Sequence, residues 1–236
     1  MEIKDLLSEW RIDITPLGAD YHQYEDYFRG EEATYIRRMA ELDNIIQWVS
    51  TTRQHIGSWL DIASGRGTFL EVLERKKIEC YGIELDPGLA KESTVRGHSV
   101  FHGDALLVLD AMIQRNVQFD MVSCLHLIEH MNGEIAELLV ANIAKVLTPG
   151  GMAIIVTPNA KDFRVMLGSF YRDPTHIRPY PKELLAYLCS KSGLEAIYTK
   201  DFDRFLDENS SLTGGGIAKR IENKLKRVRD MLKDEA

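Results

Sequence analysis

The sequence predicts an α/β protein built on a doubly wound, mostly parallel sheet. Three observations predict it. Short apolar runs alternate with helix-like stretches from residue 55 to residue 201. Three of the runs close on an acid, at Asp61, Glu84 and Asp104. The first run leads into a small-residue loop, Ala63-Ser64-Gly65-Arg66-Gly67, that opens a helix. Such a loop lets a ligand approach backbone N–H groups with few side chains in the way.

Each element follows from its residues. Trp59 to Ile62 is a strand ending beside the loop. Tyr81-Gly82-Ile83-Glu84 is a second strand, and Glu84 lies 23 positions after Asp61. That gap is near the spacing of about 20 residues at which a carboxylate meets ribose hydroxyls in nucleotide-binding βαβ units. A third strand ends at His102-Gly103-Asp104-Ala105, and Phe119 to Cys124 is a fourth. Leu147-Thr148-Pro149-Gly150-Gly151 is a turn before a fifth run, Met152 to Val156. Leu194 to Thr199 is expected as one strand of a closing antiparallel hairpin.

Three regions are expected: a helical segment over 1–54, the α/β core over 55–201, and a polar linker with a helix over 202–236. In that last helix Ile217, Ile221, Leu225, Val228 and Leu232 share one face. The opposite face is mostly basic. Docking on its own domain, self-association and contact with an anionic membrane surface all suit the pattern.

The chain has 236 residues, 44% of them hydrophobic, and a net charge of −7. That balance excludes a global basic field for nucleic acid. Cys80, Cys124 and Cys189 are odd in number and widely spaced, as expected of reduced thiols in a cytoplasmic protein. Met1 to Asp13 alternates charged and apolar residues and does not read as a secretory signal. No apolar run approaches the ~18 residues that span a bilayer.

The order of strands, loop and acids over about residues 55–200 resembles the class I S-adenosylmethionine (AdoMet) methyltransferases. The resemblance implies AdoMet as cofactor, with Ser64 to Gly67 facing its methionine part, Glu84 on its ribose and Asp104 reaching its adenine amino group. It extends the cofactor site to Asp61, Ala63, Gly65, Gly67, Leu85, Ala105 and Leu125. Those enzymes usually have glycine where this chain has Ala63, a methyl group that fits if the backbone stays at negative φ. The charge logic agrees with a sulfonium donor. A phosphate binder wants basic side chains or a Gly-rich loop with Lys at the helix start, whereas these strand ends carry acids.

The acceptor side begins after strand four with Leu125-His126-Leu127-Ile128-Glu129-His130. The carboxyl end of a strand faces the ligand crevice in a doubly wound sheet. His126 and His130 share a face if the segment forms a helical turn. Imidazole titrates near neutrality, so either suits a general base. Thr157-Pro158-Asn159 and the stretch Phe170 to Pro179 follow strand five. The connection from Pro158 to Pro179 is long and reads as an active-site covering. It can bring His176 to the group of His126, Glu129 and His130, and offers Arg172 and Arg178 for an anionic or sugar acceptor. Asp173 and Pro174 otherwise simply shape a turn.

These stretches resemble, more narrowly, bacterial methyltransferases that modify or terminate surface polysaccharides. Tyr21 to Gly30 is similar to that group's N-terminal segment, which packs over the cofactor, and Arg38 falls where an arginine pairs with the AdoMet carboxylate. A saccharide acceptor follows as the expected partner, in the cytoplasm or at the inner membrane face. The His/Glu/His arrangement also resembles metal-using quinone and small-RNA 3′-terminal methyltransferases, which favour Glu in place of His126. That likeness implies a divalent ion on His126, Glu129, His130 and His176, with Zn²⁺ or Mn²⁺ suiting the donors better than Mg²⁺. Base catalysis without an ion is the expected chemistry. Two readings from other classes are a zinc peptidase, since His126-x-x-Glu129-His130 satisfies the inverted pattern, and a non-catalytic AdoMet-binding module.

Overall fold

The computed structural model describes residues 3–11, 43–53 and 56–199. Tyr21, Arg38 and the expected C-terminal helix lie outside the described residues. The chain divides into two compact units, Met1–Asp201 and Phe202–Ala236, and every described residue belongs to the first.

Five strands form one sheet: β1 (Ser58–Ile62), β2 (Glu79–Glu84), β3 (Val100–His102), β4 (Phe119–Leu125) and β5 (Leu147–Val156). Their order is β3-β2-β1-β4-β5, and every neighbouring pair is parallel. Parallel strands need crossover helices, so both faces are covered and the strands read as nearly continuous apolar runs. Leu60, Ile62, Tyr81, Ile83, Phe101, Val122 and Cys124 pack into one layer with α1 (Ile3–Glu9), α5 (Ala105–Gln114) and α6 (Gly133–Val146). Trp59, Cys80, Val100 and Met121 point the other way, toward α2 (43–52), α3 (Thr68–Arg75) and α4 (Pro87–Val95). Burying a side chain such as Leu60 or Ile62 completely contributes about 1.5–3 kcal/mol.

Polar residues stop the strands and start the helices. Asp86 caps α4 by accepting from Leu89 N at 2.8 Å, with Pro87 in the first turn. Asn132 caps α6 by accepting from Ile135 N at 3.0 Å. A smaller cluster, Ile128, Ala136, Val140, Tyr180 and Leu188, joins α6 to α7 (Lys182–Lys191) beyond the end of β4.

Two expectations change. The turn at Leu147 to Gly151 lies inside β5: Phe119 pairs with Leu147 and Met121 with Met152, so the intervening residues bulge out of the ladder. Leu194 to Thr199 is not a strand, and among the described residues the sheet has no antiparallel member. Gly193 at φ 81° turns the chain after α7, and Leu194 N donates to Cys189 O at 2.9 Å. Leu194 and Tyr198 are then anchored by side chains: Leu194 on the core and Tyr198 4.9 Å from the Trp48 ring.

Candidate functional site

The first half of the site grows from the end of β1. The chain turns through left-handed residues at Ala63 (φ 58°), Gly65 (φ 56°) and Gly67 (φ 80°). Ala63 therefore does not keep the negative φ expected of it, and an L-residue there costs about 1–2 kcal/mol. The turn is held because Ser64 N donates to Ile83 O at 3.0 Å, drawing the loop across β2. Gly82 permits that approach, since a Cβ on it would lie 2.4 Å from Ser64 Oγ. Gly67 is equally constrained, because a Cβ would lie 2.4 Å from both Ser93 Oγ and His98 Cδ2.

Glu84 ends β2 beneath this loop, 7% exposed. Its Oε2 accepts from Gly65 N at 2.7 Å and its Oε1 from Asp86 N at 2.8 Å. The carboxylate thus holds the glycine loop against the end of β2. Asp61 is 3% exposed. Ser123 Oγ donates to Asp61 Oδ1 at 2.5 Å and accepts from Trp59 Nε1 at 2.9 Å. Burial pushes the Asp61 carboxyl up to about 7, with repulsion from Glu84 adding and the Ser123 hydrogen bond opposing. Asp104 caps α5, accepting from Leu106 N at 2.8 Å and Leu107 N at 3.3 Å. Ala105 and Leu125 are half-buried, whereas Leu85 is exposed.

The second half lies past the end of β4. His126 donates its backbone N–H to Val156 O at 2.8 Å and takes a left-handed φ of 57°. A single 3₁₀ turn follows, Ile128–His130. Ile128 is fully buried, and it carries Glu129, also fully buried, inward with it. Glu129 Oε2 accepts from Thr157 Oγ1 at 3.2 Å, and Oε1 lies 3.3 Å from His126 Nδ1. The Glu129 carbonyl accepts from Ile177 N at 2.8 Å and Arg178 N at 3.2 Å, clamping the Pro158–Pro179 connection onto the turn. That connection carries a π turn, Val165–Ser169, and a 3₁₀ turn, Phe170–Arg172.

The clamp brings His176 to His130, with ring centroids 4.7 Å apart and planes at 66°. His130 Nδ1 is 2.8 Å from Thr175 Oγ1, and His176 Nδ1 is 2.7 Å from Phe170 O. Burial holds the His130 imidazole below its ordinary pKa; His176 adds to this, while Glu129 and Asp173 oppose it. Burial raises the Asp173 carboxyl, but hydrogen bonds from Thr175 and the two imidazoles outweigh it and leave the group below the ordinary range.

Of the four residues expected together, the structure gathers three. One ligand atom each of Glu129, His130 and His176 lie within 4.8 Å of one another. Two imidazole nitrogens and a carboxylate oxygen form a donor set that fits Zn²⁺ or Mn²⁺. His126 does not join them, and among the described residues its half-exposed side chain reaches only the Glu129 carboxylate. His126 and His130 do not share a helical face, because a left-handed residue followed by a 3₁₀ turn is not the helix that a zinc-peptidase pattern requires. Arg178 stacks 5.0 Å over the Tyr180 ring, and Arg172 is exposed. Two partners had no local signal in sequence. Ser123 meets Asp61 through the β1–β4 register. Thr175 reaches His130 across 45 positions. No described helix is long and apolar enough to cross a membrane.

Residues 33–199 match the family model described as a methyltransferase domain. Curated protein sequences give no match. Among solved structures, the chain is similar to a SAM-dependent methyltransferase from Archaeoglobus fulgidus, with 25% identity, 74% of each chain covered and a TM-score of 0.63. It is also similar in fold to an O-methyltransferase family protein from Burkholderia thailandensis, at 19% identity and TM-score 0.51. That match covers 81% of this chain and 61% of the Burkholderia chain, less than two thirds of the latter. A family match across most of the sheet and both halves of the site leads to one conclusion: the chain belongs to the S-adenosylmethionine-dependent methyltransferases, and S-adenosylmethionine is its cofactor.

Proposed function

We propose that the protein is an O-methyltransferase that methylates a hydroxyl group of a saccharide or polysaccharide end. The observation that carries this reading is the placement of Glu129, His130 and His176 beyond β4, the strand next to the one that ends in the glycine loop. On this reading Glu84 accepts the ribose hydroxyls of the cofactor. Asp61 and the Ala63–Gly67 loop take its methionine end. Asp104, Ala105, Leu85 and Leu125 border the base and the methyl group, with Tyr21 and Arg38 completing the site. The exposed Arg172 and Tyr171 and the stacked Arg178 offer planar and charged surfaces suited to a sugar or an anion.

The reaction is an in-line displacement. An acceptor oxygen forms a bond to the methyl carbon as the S–CH₃ bond breaks, and its electron pair neutralises the sulfonium. Holding the two reactants in line can lower the barrier by up to about 7–11 kcal/mol. Removing the hydroxyl proton contributes about 10²–10⁴ in rate. Burial favours the neutral form of the His130 imidazole, which suits that task.

A second reading is favoured by one observation. Glu129 is a fully buried carboxylate with no Lys or Arg partner among the described residues. A divalent ion on Glu129, His130 and His176 would supply the missing positive charge and lower the pKa of an acceptor hydroxyl. Transfer of isotopically labelled methyl from AdoMet to cell-surface glycan precursors tests the main reading, and repeating it with a chelator tests the second. Labelled glycan unaffected by chelator is the expected result. AdoMet binding with no transfer to any hydroxylated acceptor would sink it in favour of a non-catalytic binding module.

A further inference from the structure

We propose that Asp173 and Thr175 form a hydrogen-bonded relay that fixes His130 as the Nδ1–H tautomer, so that its Nε2 lone pair faces the acceptor. The inference rests on the methyltransferase reading of this site, and it adds two positioning residues. It follows from counting protons. The Thr175 hydroxyl has one hydrogen, and it lies 2.5 Å from Asp173 Oδ1, which also accepts from Thr175 N at 2.9 Å. An ionised carboxylate can only accept, so the hydroxyl proton is committed to Asp173. Thr175 Oγ1 therefore presents a lone pair to His130 Nδ1, and a contact of 2.8 Å requires the proton to sit on that nitrogen. A neutral imidazole carries one N–H, so Nε2 is bare.

The same count applied to its neighbours separates the three histidines. His176 Nδ1 faces the Phe170 carbonyl at 2.7 Å and must donate, so in a neutral ring its Nε2 is bare as well. Its chain ends on a neutral carbonyl, and its Nε2 is 3.8 Å from Asp173 Oδ2, too far to hydrogen-bond. His126 reaches a carboxylate only at 3.3 Å, from a half-exposed side chain. His130 alone among them is held by two short hydrogen bonds in series that end on a carboxylate. When Nε2 takes the acceptor proton, the C–O bond forms and the S–CH₃ electron pair leaves with sulfur. The resulting imidazolium then has Asp173 behind it. The Nδ1 proton stays in place throughout, and Thr175 and Asp173 orient the ring without taking a proton.

Nitrogen-15 NMR of the full-length protein reads the tautomer directly, without an acceptor, with His130 assigned by loss of its signals in His130→Gln. The wild type is expected to show protonated Nδ1 and bare Nε2. Thr175→Val removes the partner at an exposed position and is expected to shift His130 toward the Nε2–H form. Asp173→Ala frees the hydroxyl to donate and is expected to do the same, while Thr175→Ser retains the wild-type signal. With an acceptor in hand, Thr175→Val is expected to lower kcat about ten- to a hundredfold. AdoMet affinity stays within about twofold of the wild type, and Thr175→Ser recovers most of the rate. An unchanged tautomer in both Thr175→Val and Asp173→Ala would overturn the relay. Absence of any transfer activity would instead count against the proposed function, and the tautomer measurement would still decide the relay.

Discussion

At the amino end of the strands, Asp120 accepts hydrogen bonds from Gly57 N at 2.7 Å, Ser58 N at 3.2 Å, Thr148 Oγ1 at 3.0 Å and Arg53 Nη2 at 2.7 Å. At the carboxyl end, Asp61 accepts from Ser123 Oγ, is buried, and lies near a second carboxylate, Glu84. For Asp120, burial raises the carboxyl, but the Gly57, Thr148, Ser58 and Arg53 contacts prevail and leave it below its ordinary value. For Asp61 burial prevails, and the carboxyl is pushed up to about 7. The two ends therefore spend their acids differently. One ties α2, β1, β4 and β5 together, and the other sets a buried Asp61 carboxyl beside the Glu84 carboxylate that holds the glycine loop.

That contrast can be broken most forcefully at the upper end. His130→Ala is expected to slow transfer by about 10²–10⁴ while leaving AdoMet affinity unchanged. Comparable turnover in the mutant would remove His130 from the chemistry. At the lower end, Asp120→Ala is expected to cost about 2–3 kcal/mol of unfolding free energy in urea, because it removes the acceptor of the Gly57 and Ser58 backbone N–H groups and the carboxylate that pairs with Arg53. AdoMet affinity in the folded mutant should stay within about twofold. Glu84→Ala is expected to weaken AdoMet binding about 10- to 100-fold by calorimetry, the loss of one or two charged hydrogen bonds. Unchanged affinity would refute the placement of the cofactor.

Acidity sharpens the comparison further. A carboxyl raised to about 7 in the fold contributes stability that is complete below its unfolded value, near 3.8, and lost as pH rises through about 7. The cofactor-free protein should thus lose about 1 kcal/mol between pH 6 and pH 8 through Asp61. Asp120, with its pKa lowered, behaves oppositely: its contribution is present above pH 3.8 and is lost only as pH falls through its lower folded value. Asp61→Asn should flatten the upper slope, and an identical slope in the mutant would assign it elsewhere. The smallest effect is expected at Ala63. Ala63→Gly relieves a left-handed penalty of about 1–2 kcal/mol, but the added freedom of the unfolded chain cancels much of it. Thermal unfolding should show a net change of less than about 1 kcal/mol.

The strands and their acids were legible because each is a local pattern, an apolar run closed by Asp61, Glu84 or Asp104. Leu194 to Thr199 has a strand-like composition too, yet side-chain anchors at Leu194 and Tyr198 decide its path. The pair His126 and His130 read as one helical face, and the left-handed backbone at His126 separates them. Asp173 read as a turn former, and it is one: its Oδ1 accepts from Thr175 N at 2.9 Å. That the same oxygen also takes the Thr175 hydroxyl, and so reaches His130, depends on a segment 45 positions away.

Sequence by itself determined the α/β class, the glycine loop after the first strand and the kinship with AdoMet enzymes, because periodicity, strand-end acids and small-residue turns are properties of neighbouring residues. Only tertiary structure decided which side chains of the acceptor half meet. The Glu129 carbonyl clamps Ile177 N and Arg178 N, and that long-range contact selects Glu129, His130 and His176 and sets His126 aside. Convergence of this kind depends on the path of the backbone between distant segments, which no local spacing encodes.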